Sequence, residues 1–443
     1  MNMEDNKLEK LVALCKRRGF VFQGSEIYGG LAGIYDYGHL GSILSHNIKQ
    51  LWWQKFVLSR ENMYGIEASS MMPESVWRAS GHLGEGFTDP MIECTKCKRR
   101  FRADHLENKE KCSECGGKLG AEKKFNTMFP LTVGSTEGSA NTAYLRGELA
   151  QAMFVNFKNI LDTERPKIPF GIAQIGRAYR NEIAVRDFIF RVREWNLAEF
   201  EYFIRADEWE KTFEMWRREM WSWIEEVGID KTKVHELEVA PEDRAHYSKR
   251  TVDFEYDFTF GRKELYGLAY RTDFDLKNHS ESSGVDMSYR EEGKEKFIPH
   301  VIEPTFGLGR TMLAILESAY TEDELGGEKR VYLRLAPKLA PIKVAVFPLL
   351  KNKSELVTKA RDVYQALKST FAISHLPFHI AFDDNGNIGK RYRRQDEIGT
   401  PYCVTIDFDT LEDNAVTVRD RDTGNQERLP IAELANYIKS KIA

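Results

Sequence analysis

The sequence lacks long hydrophobic stretches, and no uninterrupted apolar run approaches the roughly 20 residues that a membrane-spanning helix needs. Its first ten residues, MNMEDNKLEK, have neither the apolar core of a secretory signal nor the arginine-rich pattern of a transit peptide. Internal repeats and low-complexity tracts are also missing. We therefore expect a globular, soluble, cytoplasmic protein with no membrane partner.

A strong excess of one charge is also absent, since 64 basic and 68 acidic residues leave a net charge of −4. A polyanionic partner would have to be bound by local basic patches rather than by the field of the whole molecule. At 443 residues, the chain is long enough for two to four domains, each with its own core.

Cysteine is scarce, with six in the chain, but four of them form two Cys-x-x-Cys pairs separated by 14 residues. Without an export signal, paired cysteines favour metal ligation over disulfides. The spacing predicts a tetrahedral Cys₄ zinc ribbon in which the metal is structural, because four thiolates leave no open position for water. Unligated thiols are the alternative. The predicted ligands are Cys94, Cys97, Cys112 and Cys115.

Changes in composition divide the chain. The cysteine segment, 92–122, is rich in lysine and poor in apolar residues, which is typical of an inserted knob. After LAPKLAPIKVAVFPLL, strand and helix patterns alternate to the C-terminus, which indicates a separate α/β domain. We predict a main domain formed by 1–91 and 123–338, a zinc-ribbon insertion at 92–122, and an α/β domain at 339–443.

The stretch YRNEIAVRDFIFRVREW, 179–195, threads four arginines and two glutamates through branched and aromatic residues. We predict two strands, 179–183 and 189–195, joined by a turn. Alternation along a strand then places Arg180 and Glu182 on one face, and Arg191, Arg193 and Trp195 on one face. Guanidinium holds phosphate, a carboxylate accepts from an exocyclic amine and an aromatic ring stacks on a base, so the set fits a nucleoside triphosphate. A surface hairpin of Arg–Glu pairs is the alternative.

A second anion site is predicted at EPTFGLGR, 303–310. Gly307 and Gly309 loosen the backbone where a helix begins, Arg310 lies in its first turn, and helix N-termini attract phosphate. The alternative is an ordinary strand-to-helix turn, which would show the same glycine pattern.

Taken together, these stretches resemble a known family. YRNEIAVRDFIFRVREW resembles the second signature of class II aminoacyl-tRNA synthetases, and VIEPTFGLGR resembles the third. GFVFQGSEIYGGLAGIYDYGHLG, PESVWRASGH (which resembles the first signature), YLRGELAQ, RTDFDL and GKRYRRQDEIGTPYCVTIDFDT narrow the resemblance to the homodimeric type of glycyl-tRNA synthetase. The implied fold is α+β: an antiparallel sheet with flanking helices, the inserted zinc ribbon, and a C-terminal α/β anticodon-binding domain. A homodimer with the first signature at its interface is also implied.

The resemblance implies roles in ATP binding. Arg180 would hold the α-phosphate and the amino-acid carboxylate, Glu182 would read the adenine amine, and Trp195 would stack on adenine, where the family usually has Phe. Arg191 and Arg310 would hold the γ-phosphate end. Catalysis by Arg180 and Arg310 would consist of positioning and charge neutralisation, with Mg²⁺ accompanying ATP.

The resemblance also implies a glycine pocket in which carboxylates and a hydroxyl meet the ammonium group. The matching residues are Glu148, Glu264, Glu303 (which is also implied in ATP binding) and Thr305. Each carboxylate could instead form an ordinary salt bridge. The family usually has Arg-Pro-Glu-Thr where this chain has RGEL, and Glu-Pro-Ser where it has EPT. Thr305 keeps the hydroxyl and adds a methyl group that should narrow the pocket, while Gly147 loosens a segment that proline would stiffen.

GKRYRR, 389–394, places a tyrosine among four cations at the start of a predicted helix. Such a pattern suits a phosphate backbone with one stacking contact, although a basic helix end is often simply solvated. In a domain that resembles an anticodon-binding module, we expect Lys390, Arg391, Arg393 and Arg394 to contact tRNA.

The expected function is ATP-dependent activation of glycine to glycyl-adenylate and its transfer to tRNA(Gly). One alternative is a synthetase-like paralog that forms adenylate or dinucleoside polyphosphates without charging tRNA. Another is a non-catalytic zinc-ribbon protein that binds RNA, which the four residues Arg180, Glu182, Arg191 and Arg310 argue against.

Overall fold

The computed structural model describes residues 5–84, 87–106, 108–134, 141–372 and 378–442. Its helices are α1 (Asp5–Arg18), α2 (His39–Trp53), α3 (Glu74–Ala79), α4 (Ala150–Val155), α5 (Phe157–Glu164), α6 (Trp209–Glu226), α7 (Phe274–Ser283), α8 (Leu308–Ala319), α9 (Ser354–Ala372), α10 (Ile388–Ile398), α11 (Phe408–Asp413) and α12 (Ile431–Ile442).

The strands run through all parts of the described chain. They are β1 (Val21–Gln23), β2 (Tyr35–Tyr37), β3 (Met63–Gly65), β4 (Met71–Pro73), β5 (Thr88–Glu93), β6 (Arg100–Arg102), β7 (Lys123–Asn126), β8 (Phe129–Val133), β9 (Asn141–Leu145), β10 (Phe170–Tyr179), β11 (Glu194–Ile204), β12 (Val234–Glu238), β13 (Arg250–Phe258), β14 (Gly261–Thr272), β15 (His300–Gly307), β16 (Tyr320–Leu325), β17 (Glu328–Leu333), β18 (Val344–Pro348), β19 (Ile380–Phe382), β20 (Tyr402–Ile406), β21 (Ala415–Asp420) and β22 (Gln426–Pro430).

The largest sheet in the described part of the chain has seven strands in the order β12-β13-β14-β15-β11-β10-β3. Neighbouring strands are antiparallel except for the parallel edge pair β10 and β3. The antiparallel sheet expected from the sequence is therefore confirmed. Its central strands β14, β15 and β11 carry long runs of buried residues, as expected where helices cover both faces of a sheet.

Helices cover both faces of this sheet. On one face, α2, α6 and α8 pack an aromatic core against β11 and β15, and the tryptophans of α6 form a packed face with Trp216 and Trp223 fully buried. On the other face, α4, α5 and α7 form a second core with Phe154, Phe157 and Leu276. Because aromatic side chains bury large areas, these two cores fix the sheet on which the site is built.

The cysteine segment folds on its own small sheet, β6-β5-β7. Its core contains Ile92, Ala103 and Leu119 together with Cys94 and Cys112. So small a core is typical of a module that depends on a metal.

The C-terminal sheet has the order β19-β18-β20-β21-β22, with β19, β18 and β20 parallel and the last two strands antiparallel. The alternation of strands and helices predicted there is present, and the structure adds the short helix α11, which begins with a capping box at Asp407. None of the helices in the described ranges combines the length and the hydropathy needed to cross a bilayer.

Candidate active site

The arginine-rich stretch connects two strands of a hairpin, but these strands, β10 and β11, lie mostly outside the predicted ranges 179–183 and 189–195. β10 and β11 pair from Phe170↔Phe203 to Tyr179↔Glu194, and residues 180–193 form the connection. Within it, Arg180 N–H donates to the Arg193 carbonyl at 3.0 Å, and Arg186 and Arg191 form an isolated bridge. The predicted strand bounds are therefore wrong, and Arg193, which was predicted to share a face with Arg191 and Trp195, instead donates to the carbonyls of Ala32 and Glu182.

A cavity of about 310 Å³ lies between this hairpin and the start of α8. Every residue assigned to ATP binding except Glu303 lines it, so the structure brings together groups that are up to 130 positions apart in the chain. The lining includes Arg180, Glu182, Arg191, Trp195, Leu197, Glu199, Glu264, Thr305, Gly307 and Arg310.

Arg180, which lines this cavity, is held in place by a backbone carbonyl and two aromatic rings. Its Nε donates to the Gly147 carbonyl at 3.0 Å. Its guanidinium carbon lies 4.6 Å from the centre of the Phe87 ring and 5.5 Å from that of Trp195. An arginine fixed in this way presents its remaining N–H groups with little rotamer freedom left to lose.

The other cations of the cavity are paired with carboxylates. Arg191 Nε donates to Glu182 Oε2 at 2.9 Å. Arg310 Nη1 lies 3.0 Å from Glu264 Oε2 and donates to the backbone carbonyl of Glu264, also at 3.0 Å, while its guanidinium stacks on Phe190. The Arg310 charge lowers the pKa of Glu264. A phosphate could replace either carboxylate as the partner of its guanidinium.

A second cavity, of about 240 Å³, adjoins the first and shares Arg180, Glu199, Glu264 and Thr305 with it. All four residues assigned to glycine line this cavity. The wider lining includes Glu148, Tyr247, Asp253, Gly267, Ala269 and Glu303.

An ion pair and a hydrogen bond hold the Glu148 side chain in place. The Nε2 atom of buried His82, at the end of the PESVWRASGH segment, lies 3.1 Å from Glu148 Oε2. Gln151 Nε2 donates to Glu148 Oε1 at 3.0 Å. Burial favours the neutral acid, but the imidazole and the more distant Arg271 outweigh it and lower the Glu148 pKa. Glu148 is therefore an ionised carboxylate facing the cavity.

Glu303 shares one arginine with Asp275. Arg271 Nη1 donates to Glu303 at 2.8 Å, while Arg271 Nε and Nη2 both donate to Asp275 at 2.8 Å. Burial, partly offset by Arg271 and reinforced by Glu148, raises the pKa of Glu303 to about 7. Tyr247 covers the guanidinium at 3.6 Å. The acids of this cavity thus outnumber the cations that face them, which suits a ligand bearing an ammonium group.

Sequence reasoning missed Glu199 and Arg271. Glu199 accepts from the Leu149 N–H at 2.9 Å, and burial together with Glu303 raises its pKa to about 8. Its signal was present in WNLAEFEYF, where Glu199 and Glu201 alternate with apolar residues and so share a face. A charged residue within an apolar strand, as in LAYRT, was the corresponding signal for Arg271.

Thr305 lies at the boundary of the two cavities. It pairs with Glu199 on β11 and with Gly267 on β14, both of which also line the second cavity. Because its position is fixed by both neighbouring strands, its side chain narrows the cavity at a defined point.

The four paired cysteines meet at one point, with their sulfur atoms all within 4.8 Å of one another. The Sγ atoms of Cys94 and Cys115 are 3.6 Å apart, and those of Cys97 and Cys112 are 3.7 Å apart. Four thiolates at Zn–S distances of about 2.3 Å in a tetrahedron would be roughly 3.8 Å apart. The residues therefore fit a structural zinc ion.

The predicted tRNA contacts lie on α10, but they do not all face outward. Lys390, Arg393 and Arg394 line an open surface cavity of about 590 Å³. Arg391 is only 1% exposed and donates to the carbonyls of Pro348, Asp384 and Gly386. Arg391 therefore anchors the loop before α10, and its predicted RNA contact has no accessible group to make it.

Comparison with known proteins gives matches to both halves of the chain. Residues 136–319 match the family model "tRNA synthetase class II core domain (G, H, P, S and T)", and residues 343–441 match "Anticodon binding domain". The chain is similar to a glycine–tRNA ligase of Clostridium acetobutylicum (47% identity, 99% of this chain and 100% of the relative). It is likewise similar to one of Treponema denticola (46%, 99% and 98%) and one of Streptomyces coelicolor (47%, 99% of each).

Among solved structures, prolyl-tRNA synthetase of Giardia lamblia in complex with prolyl-adenylate has the same fold, with a TM-score of 0.72 at 15% identity. The match covers 99% of this chain and 79% of that one.

Proposed function

This chain belongs to the glycine–tRNA ligase family, and from that premise we propose that it activates glycine with ATP and transfers the glycyl group to tRNA(Gly). The observation that carries the proposal is the pair of adjoining cavities, one rich in arginine and one rich in carboxylate, which meet at Arg180 and Thr305. A negatively charged nucleotide suits the first cavity and a small ammonium-bearing ligand suits the second.

In the first step, a carboxylate oxygen of glycine attacks the α-phosphorus of ATP, the bond to the bridging oxygen breaks, and pyrophosphate leaves. Arg180, at the junction of the cavities, would neutralise charge on both reacting groups. Arg191 and Arg310 would exchange their carboxylate partners for the departing phosphates. Positioning and charge neutralisation are the contributions that such a reaction needs.

In the nucleotide cavity, Glu182 would accept from the adenine amine and Trp195 would stack on the ring. Asp253 in the second cavity and Glu264 in the wall that both cavities share would offer Mg²⁺ the carboxylate oxygens that this ion prefers, and the ion would supply positive charge next to the phosphates of ATP.

In the second cavity, Glu148, Glu199, Glu264 and Glu303 would surround the ammonium group of glycine. With Thr305 narrowing the space, a larger amino acid would meet a steric clash rather than a missing contact. Selectivity by exclusion can exceed the ~1–3 kcal/mol that one methylene contributes by attraction.

In the second step, the terminal ribose hydroxyl of tRNA attacks the carbonyl carbon of the adenylate, and AMP leaves. Lys390, Arg393 and Arg394 would contact the phosphate backbone near the anticodon, with residues 339–443 as the binding domain. Zinc in the ribbon of 92–122 would be structural, and 1–91 with 123–338 would form the catalytic domain. The relatives are named for tRNA charging, which favours the ligase over the adenylate-forming alternative.

We further propose a homodimer in the cytoplasm. Trp77 and His82 of the PESVWRASGH segment are buried within the chain, but the short 3-10 helix Glu26–Tyr28 exposes Ile27 by 89% and Tyr28 by 88%. A pair of almost fully exposed large apolar side chains suits contact with a second copy. Light scattering of the purified protein tests this, since a monomeric mass would refute it.

ATP–pyrophosphate exchange with glycine, alanine or serine tests the main proposal, first without tRNA and then with it. Glycine-dependent exchange followed by tRNA charging is the expected result. Exchange without charging would favour the adenylate-forming alternative, and no exchange would refute both. Thr305→Ser serves as a companion variant, because an unchanged KM for glycine would show that the extra methyl group plays no part.

A further inference from the structure

The guanidinium of Arg180 rests on the ring of Phe87, which lies where the chain enters the zinc ribbon and packs against the main-domain cluster around Trp77 and Met128. Phe87 immediately precedes β5, the central strand of the ribbon sheet, and its ring centre lies 4.6 Å from the guanidinium carbon. The His82 ring also packs against Phe87, at 4.2 Å between centroids. Phe87 therefore contacts both the arginine assigned to ATP and the histidine that supports Glu148.

The space for this ring depends on Gly147. A Cβ atom at Gly147 would lie 3.0 Å from Phe87 Cε1 and 3.0 Å from Met128 Sδ, closer than such atoms normally approach. The Gly147 carbonyl is also the acceptor for Arg180 Nε at 3.0 Å. One residue thus leaves room for the ring and binds the arginine that the ring covers.

Backbone hydrogen bonds connect the same region to the ribbon. The N–H of Asn181, next to Arg180, donates to the Thr127 carbonyl at 2.7 Å, and the Thr127 N–H donates to the Phe87 carbonyl at 3.2 Å. From there β5 and β7 pair from Thr88↔Asn126 to Met91↔Lys123.

The cysteine cluster begins directly beyond these strands. Cys94 follows β5, and its backbone N–H donates to the carbonyl of Arg99 at 2.8 Å. The ribbon core is small and includes two of the cysteines. Without metal, such a core would leave β5 and β7 poorly fixed.

We propose that Phe87 is a positioning residue for Arg180, and that the zinc ribbon fixes Phe87, so that metal loading sets the nucleotide affinity of the active site. This inference rests on the proposed function, because it takes Arg180 as a phosphate-binding group. A guanidinium held between a carbonyl and a ring is ordered before the ligand arrives, so less conformational entropy is lost on binding.

The first test is the equilibrium dissociation constant of a non-hydrolysable ATP analogue, measured by calorimetry on the zinc-loaded protein. Phe87→Leu removes the ring but keeps an apolar side chain, and we expect it to raise the dissociation constant about three- to tenfold. Phe87→Tyr keeps the ring and should bind like the parent. Phe101→Leu is the matched control, because Phe101 packs against the ribbon core and pairs with Ile92 rather than with the active site.

A double-mutant cycle distinguishes positioning from general damage. In an Arg180→Gln background there is no guanidinium to orient. If Phe87 acts through Arg180, the two substitutions are not additive, and Phe87→Leu should then change the dissociation constant by less than twofold. An equal effect of Phe87→Leu with and without Arg180 would overturn the positioning role.

Zinc removal by a chelator, followed by the same titration, tests the second half of the proposal. The parent should lose affinity about as much as Phe87→Leu does, while Phe87→Leu itself should lose little more. Unchanged affinity of the zinc-free parent, or equal losses in both proteins, would overturn the link. Failure of the zinc-loaded parent to bind the analogue at all would instead refute the proposed function.

Discussion

The imidazole of His82 and the carboxylate of Glu148 approach to 3.1 Å, with the His82 side chain fully buried and the Glu148 side chain 8% exposed. The second ring nitrogen, Nδ1, lies 2.8 Å from the hydroxyl of Ser80. Each end of the imidazole is thus fixed, and the carboxylate that it supports faces the cavity proposed for glycine. His82 itself does not line that cavity.

His82→Gln should raise the KM for glycine about tenfold while leaving the KM for ATP nearly unchanged, because the imidazole next to Glu148 lowers the pKa of that carboxyl and one pKa unit corresponds to ~1.4 kcal/mol. Pyrophosphate exchange at varied glycine and then varied ATP measures both constants. The control is His300→Gln, which removes a histidine bonded to Tyr270 at the other end of β15. A parallel rise in both constants would indicate loss of structure instead.

The KM for glycine should depend on pH. The pKa values of Glu303 and Glu199 are raised to about 7 and about 8, mainly by burial. Below those values the carboxyls are protonated and attract an ammonium group less. The KM for glycine should therefore fall as pH rises from about 6 to about 8.5, whereas glycine keeps its ammonium charge over that range. Pyrophosphate-exchange kinetics at constant ionic strength measure the KM for glycine at each pH. A KM that does not change with pH would contradict the proposal that Glu303 and Glu199 bind the ammonium group.

Glu201→Gln should change the pH dependence of stability. Glu201 is completely buried, and neither of its carboxyl oxygens has a hydrogen-bond partner among the described residues. Burial, followed by repulsion from Glu303, raises its pKa well above the usual value. For an acid whose folded pKa is raised, stability is fully present below the unfolded pKa and is lost as pH rises through the folded one, by up to ~1.4 kcal/mol per unit.

The gain from Glu201→Gln should therefore be larger at pH 8 than at pH 5, as measured by urea unfolding. Glu291→Gln provides a control of opposite sign, because Lys294 and Arg205 lower the pKa of Glu291, so its contribution is lost at low pH instead. A gain from Glu201→Gln that does not vary with pH would show that Glu201 is not the titrating group.

Asp396→Asn should destabilise the protein by about 3–5 kcal/mol, because it removes the counter-charge of the buried Arg419, whereas Arg330 keeps Asp323 as a partner. Arg419 donates to both oxygens of Asp396, at 2.8 and 3.0 Å, and Arg330 donates to it at 3.3 Å. Thermal or urea unfolding measures the loss. Asp409→Asn on the neighbouring helix α11 is the control, and a comparable loss there would argue against the buried network.

Local patterns predicted the parts of the fold that depend on neighbouring residues. The cysteine spacing predicted a cluster that the structure confirms, and the strand–helix alternation after residue 340 is present almost as expected. The ends of the 179–195 hairpin were wrong because the chain leaves the strand at Arg180 to bond with Gly147 and Arg193, and those contacts are not encoded in a period-2 pattern.

Residues whose role depends on distant partners were harder to predict. Arg391 could not be distinguished from Lys390 or Arg394, because basic residues surround it and its contact with the distant Pro348 carbonyl, like the loop conformation that turns Asp384 and Gly386 toward it, is set by the fold. Arg271 depends on acids from a helix and another strand. Only the folded sheet shows which charges share one enclosed space.

The placement of both cavities over β11, β14 and β15 has a consequence for hydrogen exchange. Amides on central strands between two cores exchange only when the whole sheet opens, whereas a satellite with a small core of its own can open separately. As the denaturant concentration rises, the amides of β11, β14 and β15 should stay protected from hydrogen exchange until global unfolding, long after the amides of the zinc ribbon have exchanged. A partly unfolded molecule would then keep the strands that line the glycine cavity, but the Phe87 ring would no longer position Arg180.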